Sequence, residues 1–476
     1  MPKIDYFEYC RSLESGVILQ PISITTIFKM ELRRIFIIAA LCVGVCGARA
    51  DKGAIDDAAP AVFTKGDSVA LNNVKKKVSL WDRLHVGGYG EAAYSYNFFS
   101  DNYLRYSHPE QYRNEKHGRF DLPHVVIYLG YDFGKGWSFS SEIEFEHGGT
   151  ESAVEIETEE AGEYEKEIER GGEVALEQFY IQKEFFPQLK VRAGMQVVPV
   201  GATNAHHEPN QFFGVYRPEG ENTIIPCTWH EISLSVSGRA GKWNYMAMFL
   251  PGLDSERFGN QGWIHDGSAS PFEFKIANRF AFATRVENFS VPGLRLGVSG
   301  YVGESFRNTL YPTGSDKNKG IRGTVAIGSF DFKYEGYGLL ARGSFLWGHL
   351  SDSQHISKFN IAMSKNSTSK RQEVASDAVA TGVEAGYDIF HTIKNRHVAN
   401  QKFYVFARYD YYDSMARMEN SAPLEWCHRQ KISAGINWYP IPQVVVKADY
   451  TIGLLNKRYN NEPAVNVGVA YVGWFK

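Results

Sequence analysis

The stretch Gln430–Thr451, QKISAGINWYPIPQVVVKADYT, decides the fold class, because two alternating runs flank a short turn that contains two prolines. One face is apolar and carries Ile432, Ala434, Ile436 and Trp438, then Val444, Val446, Ala448 and Tyr450. The other face carries Lys431, Asn437, Lys447 and Asp449. A period of two along both runs predicts a β-hairpin, with its prolines confined to the turn. Such a hairpin fits the wall of either a soluble β-sandwich or a membrane barrel.

The segment Met30–Ala50, MELRRIFIIAALCVGVCGARA, has the three parts of a secretory signal peptide. Two arginines precede a short apolar core, and an Ala-x-Ala site ends at Ala50. The core is too short to span a membrane as a helix, so we expect cleavage after Ala50. On this interpretation the chain consists of a mis-called upstream extension (1–29), the signal peptide (30–50), a periplasmic leader (51–80) and the folded domain (81–476).

Composition excludes several classes of protein. The formal charge is −3 and no basic block occurs, which argues against a nucleic-acid partner. Beyond the signal peptide there is no run of about 18 apolar residues, so helical membrane spans are excluded. Cys227 and Cys427 are the only cysteines of the expected mature chain, which is too few for a disulfide framework, and both a bridge and two free thiols remain open. An aromatic content of 14% and 45 glycines favour an all-β fold.

The hairpin pattern recurs along the folded domain and predicts about sixteen strands, each near the length that crosses a bilayer in a tilted barrel. They cover 84–98, 124–133, 137–146, 174–184, 189–198, 231–237, 243–250, 277–287, 294–302, 324–334, 339–348, 381–389, 402–413, 430–439, 444–451 and 465–475. Their connections alternate between tight turns, such as 132–136, and long polar loops, such as 147–172. We therefore predict an all-β transmembrane antiparallel β-barrel with short periplasmic turns and long extracellular loops, in the outer membrane of a Gram-negative bacterium.

One predicted strand indicates which face of the barrel is hydrated. Glu142, Glu144 and Glu146 all lie on its polar face. Three carboxylates side by side would be prohibitively costly in the core of a soluble protein, whereas a hydrated lumen tolerates them. The polar faces therefore indicate a water-filled barrel.

Four further stretches, together with the opening hairpin, resemble the phosphate-selective porin O and P family of Gram-negative outer membranes. They are LKVRAGMQVVPVG at Leu189–Gly201, ATRVENFSVPGLRLGVSGY at Ala283–Tyr301, VEAGYDIF at Val383–Phe390 and FYVFARYDYYD at Phe403–Asp413. The resemblance lies in their order and spacing across nearly the whole folded domain. It implies a barrel of about sixteen strands that forms a homotrimer, with the long loop 199–230 folded inward to narrow the channel.

The alternation assigns many charged side chains to the lumen. The cationic ones are Lys190, Arg192, Arg279, Arg285, Arg295, Arg342, Arg408, Lys431 and Lys447, and the carboxylates beside them include Glu142, Glu144 and Glu146. An anion that leaves water needs opposing charge, and family members that select phosphate line the pore with arginine and lysine. Here the lumen is mixed, so we predict passive diffusion of small hydrophilic solutes or ions, with anions such as phosphate as a narrower possibility. Arg217, Glu219 and Glu221 are the expected contribution of the inward-folded loop to selectivity.

The sequence contains none of the common motifs for catalysis or cofactor binding. No nucleophile elbow, phosphate-binding loop or CxxC pair occurs, so we expect neither an enzyme nor a cofactor. The run His206-His207-Glu208 lacks zincin spacing, and tandem histidines point apart in an extended loop, so we expect no metal site there. The expected partners are outer-membrane lipid and lipopolysaccharide, the permeating solutes and other copies of this chain.

Two alternatives remain at this stage. One is an outer-membrane barrel that serves as an adhesin or scaffold, with a lumen plugged by its loops. The other is a secreted soluble β-sandwich that binds a ligand. If the chain is a barrel in a bilayer, a lysine on the apolar face of the opening hairpin should lower the stability of the protein. On the same hypothesis, Lys447→Glu should fold and change the selectivity of the channel.

Overall fold

The structure is a computed structural model and describes residues 80–152, 170–269, 274–309, 318, 320–365, 371–393, 400–419 and 421–475. The predicted upstream extension, the signal peptide and all of the leader except Leu80 lie outside the described residues. Within the described ranges, no helix is both long and apolar enough to cross a membrane.

Seventeen strands of the described residues belong to one antiparallel sheet. They are β1 (Leu84–Asn97), β2 (His117–Asp121), β3 (His124–Gly134), β4 (Trp137–Ser152), β5 (Arg170–Phe186), β6 (Leu189–Val197), β7 (His230–Ala240), β8 (Trp243–Pro251), β9 (Phe280–Asn288), β10 (Leu294–Glu304), β11 (Thr324–Gly336), β12 (Leu339–Leu350), β13 (Asp377–Asp388), β14 (Lys402–Arg417), β15 (His428–Ile441), β16 (Val444–Gly453) and β17 (Ala464–Trp474). The connections contain α-helices α1 (Pro109–Tyr112), α2 (Ala202–Ala205), α3 (Glu219–Ile224) and α4 (Ser353–Met363).

The sheet closes on itself. From β3 to β17 each strand pairs with the next one in sequence. The first strand, β1, pairs with β17 on one side, from Gly87 opposite Trp474 to Asn97 opposite Ala464, and with β2 and β3 on the other. A closed sheet leaves no strand edge unpaired. The predicted barrel is confirmed, and the single closed sheet excludes the two-sheet β-sandwich.

The strands β2 and β3 lie end to end beside β1 and together take the place of one strand in the wall. The seventeen strands therefore fill sixteen strand positions around the barrel. Residues 93–97 of β1 pair with β2, and residues 84–90 of β1 pair with β3. Pro123 lies between the two segments and has no N–H to donate, which interrupts the ladder there. The sequence pattern predicts β3 but not β2, because the segment 117–121 is short and polar.

Inward and outward faces alternate along the strands as the period of two predicts. In β15 the side chains of Ile432, Ile436 and Trp438 are exposed on the outer face, while Ser433 and Asn437 are fully buried inside. The same alternation holds in β9, where buried Arg285 and Glu287 flank exposed Val286. The outer face is thus an apolar belt around a polar interior.

The two ends of the barrel differ in their connections. At one end the strands are joined by the turns 135–136, 187–188, 241–242, 337–338 and 442–443, by the somewhat longer 289–293 and by the much longer 389–401. At the other end the connections include 198–229, 252–279, 305–323 and 351–376. Exposed aromatic side chains lie near both ends and include Trp137, Trp243 and Trp438 near the short turns and Phe249 and Trp347 near the long connections. The alternation of loop length that the sequence predicts is therefore present in the structure except at 389–401, which is a long connection at the short-turn end.

Long connections fill part of the interior with apolar side chains. Trp263 and Ile264 from 252–279, Phe306 from 305–323 and Ile356 from α4 are all buried, in contact with inward-facing residues of β8 to β14 such as Leu346. The indole N–H of Trp263 donates to the carbonyl of Ala375 at 3.0 Å, which satisfies its one donor inside this cluster. The polar part of the lumen therefore lies on the side of the wall away from this cluster and toward the short-turn end.

We predict that a lysine on the outer face is costly at mid-depth and tolerated near the short turns. Ala434 lies midway along the exposed face of β15, and Trp438 lies beside the turn to β16. For a barrel in a bilayer, Ala434→Lys should lower the free energy of unfolding by about 2–4 kcal/mol and Trp438→Lys by about 0–1 kcal/mol. Urea titration of the protein in lipid vesicles, followed by heat-dependent gel mobility, measures both. Equal small costs would contradict the placement of this face in hydrocarbon.

Candidate functional site

Residues 198–229, which connect β6 to β7 and are called the inner loop here, lie inside the barrel. Val198, Val200, Ile224, Ile225 and Trp229 are completely buried and belong to the interior apolar cluster. Polar groups of the inner loop contact side chains from β1, β4, β5, β9, β10, β12, β13, β14, β15 and β16. The inner loop therefore crosses the lumen and touches wall residues around much of its circumference.

The first anchor of the inner loop is a buried charge cluster on β9 to β11. Arg285 donates to both oxygens of Asp331 at 2.8 and 2.9 Å and to Glu287 at 3.1 Å, and all three side chains are at most 1% exposed. The same guanidinium donates to the carbonyl of Gly201 at 3.3 Å. Gly201 has φ = +82°, and a Cβ there would come within 2.8 Å of Glu221. The start of the inner loop is fixed by a paired charge and by a turn that requires glycine.

His206 extends this cluster from the loop side. Its Nε2 lies against Arg295 and 3.5 Å from Glu287, and Arg295 in turn pairs with Asp331 at 3.0 Å. Burial and the neighbouring charge of Arg295 lower the pKa of His206 to about 3, although Glu287 opposes the shift. His206 is therefore neutral at physiological pH and accepts a hydrogen bond from the guanidinium.

The second anchor consists of hydrogen bonds between wall side chains and the backbone of residues 212–216. Arg408 donates to the carbonyl of Phe213 at 2.7 Å, and the carboxylate of Glu384 accepts from the N–H of Phe213 at 3.1 and 3.2 Å. The N–H of Val215 donates to Asp449 at 2.6 Å. Charged wall groups thus satisfy backbone donors and acceptors that would otherwise be buried without partners.

Lys447 and Gly214 complete the second anchor. Lys447 is 2% exposed, with its ammonium 3.5 Å from the carbonyl of Phe212 and 4.1 Å from the centre of the Phe212 ring. Gly214 has φ = +81°, and a Cβ would come within 3.3 Å of both Arg408 and Asp449. Lys447, which we assigned to the channel wall, lies under the inner loop rather than in an open channel.

Helix α3 carries the two carboxylates that we assigned to selectivity. Glu219 contacts Lys431 and accepts from the hydroxyl of Tyr412 at 2.9 Å. Burial by itself raises the pKa of Glu219, but Lys431 and Tyr412 together lower it to about 2, so the carboxylate stays charged. Glu221 is buried and accepts from the N–H of Thr203 at 2.7 Å, which ties α3 to α2. Glu219 therefore ties the inner loop to β14 and β15, and Glu221 holds two parts of the inner loop together.

The third region lies where the inner loop faces β4 and β5. His207 is 1% exposed and its Nε2 lies 3.7 Å from Glu142 and 3.9 Å from Glu177. Burial by itself lowers the pKa of His207, but Glu142 and Glu177 raise it to about 9. Arg217 donates to the carbonyl of His207 at 3.2 Å and to the hydroxyls of Thr228 and Tyr89 at 3.3 and 3.5 Å. The tandem histidines therefore point to opposite walls.

Glu177 is a buried residue that the sequence analysis missed. Opposite β4, Glu142 pairs with Gln178 and Ile143 pairs with Leu176, so Glu177 is an extra residue in a β-bulge. Both Glu177 and Gln178 consequently point inward, between exposed Leu176 and Phe179. The signal in the sequence is the spacing of three between these two apolar residues where the alternation requires two.

Other predicted lumen residues have separate positions. Lys190 lies 3.4 Å from Glu184 and Arg192 donates to Gln182 at 2.6 Å, both on the inner face of β6. Arg279 precedes β9, is 40% exposed and pairs with Glu304 at 3.3 Å, so it lies at the rim and not on an inward-facing strand position as we assigned it. Glu146 is also partly exposed, 4.0 Å from His124.

A cavity of about 70 Å³ lies between the inner loop and the wall formed by β10 to β14. Its cationic lining groups are Arg295, Lys333, Arg342 and Arg408, and its carboxylates are Glu221, Glu384 and Asp410. Arg342 pairs with Glu384 at 2.6 Å and reaches the carbonyl of Asn210 at 3.3 Å. Lys333 shares a face with Asp331 and could have been found from the alternation. This arrangement can bind water and small ions beside the inner loop, with a slight excess of positive charge.

The chain has a relative in sequence and several similar solved structures. No family model matches it. An uncharacterized protein of Aquifex aeolicus (strain VF5) is 28% identical over 389 residues, which cover 79% of this chain and 76% of that protein.

Similar solved structures include an anion-selective porin from Comamonas acidovorans, with 7% identity, a TM-score of 0.46 and coverage of 82% of this chain and 99% of that one. The outer membrane channel DcaP of Acinetobacter baumannii has 10% identity, a TM-score of 0.47 and coverage of 85% and 100%. OmpF of Salmonella typhi, in complex with daunomycin, has 10% identity, a TM-score of 0.48 and coverage of 82% and 97%. At these identities and TM-scores, the assignment of the barrel fold to the present chain depends on its own strand pairing and not on the similar structures.

We predict that Arg285→Met destabilises the protein strongly. The substitution leaves the buried carboxylate of Glu287 without its closest cation and removes the bond to Gly201, and breaking such a buried pair costs about 3–5 kcal/mol. Arg279→Met removes a guanidinium that is 40% exposed, which should cost no more than about 1 kcal/mol. Urea unfolding of both variants in detergent gives the comparison. Similar costs for the two would contradict the role of Arg285 as an anchor.

Proposed function

We propose that the protein is an outer-membrane porin through which small hydrophilic solutes or ions diffuse passively. The observation that carries this proposal is the charged cavity between the inner loop and the β10–β14 wall, inside a closed barrel with an apolar outer belt. An apolar belt requires a hydrocarbon surrounding, and a polar interior beside a loop that crosses it suits a narrowed water-filled path. The inner loop forms the constriction.

The proposed orientation follows from the two ends of the barrel. Short turns face the periplasm and long connections face the exterior, as in other barrels of this kind. Outer-membrane lipid then contacts the apolar belt and lipopolysaccharide contacts the outer rim. The resemblance to the phosphate-selective porin O and P family supports a homotrimer.

The charges at the cavity support a weak preference for anions. Four cationic groups face three carboxylates there, and two of the pairs, Arg342 with Glu384 and Arg408 with Asp410, offset each other at 2.6 and 3.1 Å. Arg295 pairs with Asp331 at 3.0 Å, whereas Lys333 has no carboxylate within ion-pair distance among the described residues. Phosphate selectivity is the narrower form of this proposal and requires that these cations, and not the β4–β5 carboxylates, line the path.

A second candidate function has its own supporting observation. The inner loop is nearly all buried, and the connections 252–279 and 305–323 contribute Trp263, Ile264 and Phe306 to an apolar cluster inside the barrel. An interior filled in this way suits an adhesin or scaffold whose lumen is closed by its own loops.

Planar-bilayer recording separates the two candidates. A porin gives stable conductance steps when the purified full-length protein, with its heat-dependent gel shift intact, is added to the bilayer. A lumen closed by its loops gives none, and the absence of steps from protein that retains the gel shift would overturn the porin proposal.

We predict that Arg342→Gln lowers the preference for chloride over potassium. A unit charge about 7 Å from a permeating ion in a water-like dielectric contributes about 0.6 kcal/mol, a factor of about 3 in local ion concentration. Arg279→Gln is the matched control, because Arg279 lies at the rim outside the cavity lining. Reversal potentials in a potassium chloride gradient, and then in a potassium phosphate gradient, measure the change. A larger shift from the rim variant than from Arg342→Gln would contradict the proposed path.

A further inference from the structure

Three ligand atoms from three different elements converge at the face of the inner loop that meets β4 and β5. They are Nε2 of His207 from the inner loop, a carboxylate oxygen of Glu142 from β4 and one of Glu177 from β5. All three atoms lie within 4.8 Å of one another, and the two distances from His207 are 3.7 and 3.9 Å. Residues far apart in sequence thus form a compact set of one nitrogen and two oxygen donors.

Apart from their contacts with one another, these atoms are poorly satisfied although they are buried. Glu177 is 0% exposed and neither of its oxygens has a partner at full hydrogen-bond geometry, although the carboxyl of Glu144 and the hydroxyl of Thr228 lie beside it. Oε1 of Glu142 and Nε2 of His207 are equally unpartnered, at 2% and 1% exposure of their residues. Buried acceptors that face each other at such distances are unfavourable unless a cation or a proton lies between them.

Lysine and arginine contribute little positive charge at this point. Among the described residues, no lysine or arginine nitrogen lies within 4.0 Å of Glu142, Glu144 or Glu177. The nearest guanidinium, that of Arg217, gives its hydrogen bonds to the carbonyl of His207 and to two hydroxyls. The buried carboxylates of this wall are therefore unlike those of the β9–β11 cluster, where arginines complete the pairs.

The histidine is already oriented as a ligand. Its Nδ1–H donates to the carbonyl of Asn204 at 3.1 Å, which leaves Nε2 directed at the two carboxylates. A metal-ligating histidine almost always has its other ring nitrogen fixed in this way. On the wall, Gln178 donates to Oε2 of Glu142 and leaves Oε1 for the same point.

We infer that His207, Glu142 and Glu177 bind one divalent first-row transition-metal ion of the Zn²⁺ class, which ties the inner loop to the β4–β5 wall. Ligand atoms around a tetrahedral Zn²⁺ lie about 3.4 Å apart, since the bonds are 2.0–2.2 Å long. The observed distances of 3.7 and 3.9 Å need only a small contraction. An imidazole nitrogen in the set favours these ions over Mg²⁺ and Ca²⁺, which prefer oxygen ligands alone.

The β-bulge is what makes the site possible. Without the bulge the side chain of Glu177 would point out of the barrel. Glu142 and His207 would then face each other as a simple pair. A second set of similar composition, His124, Glu144 and Glu146, lies farther along the same wall. Glu146 is partly exposed and takes part in a further contact, so the ion is assigned to the buried set.

The expected consequence is a metal-dependent attachment of the inner loop. The β9–β11 cluster holds one side of the loop by ion pairs, and the metal ion holds the opposite side through His207. Removal of the ion should leave the barrel closed and loosen the inner loop. The site does not require that the barrel conducts.

Binding is tested on the full-length protein, purified in detergent, freed of metal with a chelator and titrated with Zn²⁺ in a calorimeter. We expect one ion per chain with a dissociation constant in the micromolar range or below, and at least a ten-fold loss of affinity in Glu177→Gln and His207→Gln. His206→Gln is the matched control, because it alters the adjacent histidine, which faces the opposite wall, and it should bind as the wild type does. Co²⁺ gives a second readout, since its visible absorption should appear in the wild type and in His206→Gln but not in His207→Gln.

Each outcome supports or overturns the inference. Zn²⁺ should also slow proteolysis within 198–229 in the wild type and not in His207→Gln, while heat-dependent gel mobility shows that each variant retains the barrel. No binding to the wild type at millimolar Zn²⁺ overturns the site, because the carboxylates are then balanced by protons on His207 and its neighbours. Binding that is unchanged in His207→Gln also overturns it, since the ion would then be held elsewhere.

Discussion

The constraint on which the rest of the structure depends is that charged side chains facing into a closed barrel must find partners. Arg285, Arg408, Asp331 and Asp449 are almost completely buried, and the wall alone does not satisfy them. The inner loop supplies what is missing, through the carbonyls of Gly201 and Phe213 and the N–H groups of Phe213 and Val215. Wall and loop are therefore mutually dependent, because the polar groups buried between them take their hydrogen bonds from both.

This dependence divides the interior. Between β8 and β14 the long connections and the inner loop bury an apolar cluster, whereas the charged groups occupy the remaining space toward the short turns. Glycines occur where the loop backbone approaches most closely, and a Cβ at Gly214 would contact both Arg408 and Asp449. The path for a permeating solute is consequently confined between the inner loop and a wall whose charges are already paired, which favours modest selectivity over tight binding.

The period of two in the sequence was enough to predict the strands and the face on which each side chain lies, because burial on one side alone imposes that alternation. It failed where local structure departs from the period. Pro123 splits one crossing into β2 and β3, the bulge turns Glu177 inward, and Arg279 precedes the strand to which it was assigned. Contacts between the inner loop and the wall could not be predicted from one sequence, since pairs such as Val215 and Asp449 are set by how the loop crosses the lumen. For the same reason, the tandem histidines gave no sign that His207 meets Glu142 and Glu177.

The position of the inner loop is the central claim, and a disulfide across the lumen tests it most directly. A Cβ on Gly220 would lie 3.4 Å from the Cβ of Ala380 on β13, close to the 3.5–4.5 Å typical of disulfides. In a background with the native cysteines replaced by serine, Gly220→Cys with Ala380→Cys should oxidise within the intact barrel and lose both reactive thiols. Pairing of Gly220→Cys with Ala434→Cys, on the outer face, should leave both thiols free. If the first pair stays reduced under oxidising conditions that close other disulfides, the inner loop does not lie where the structure places it.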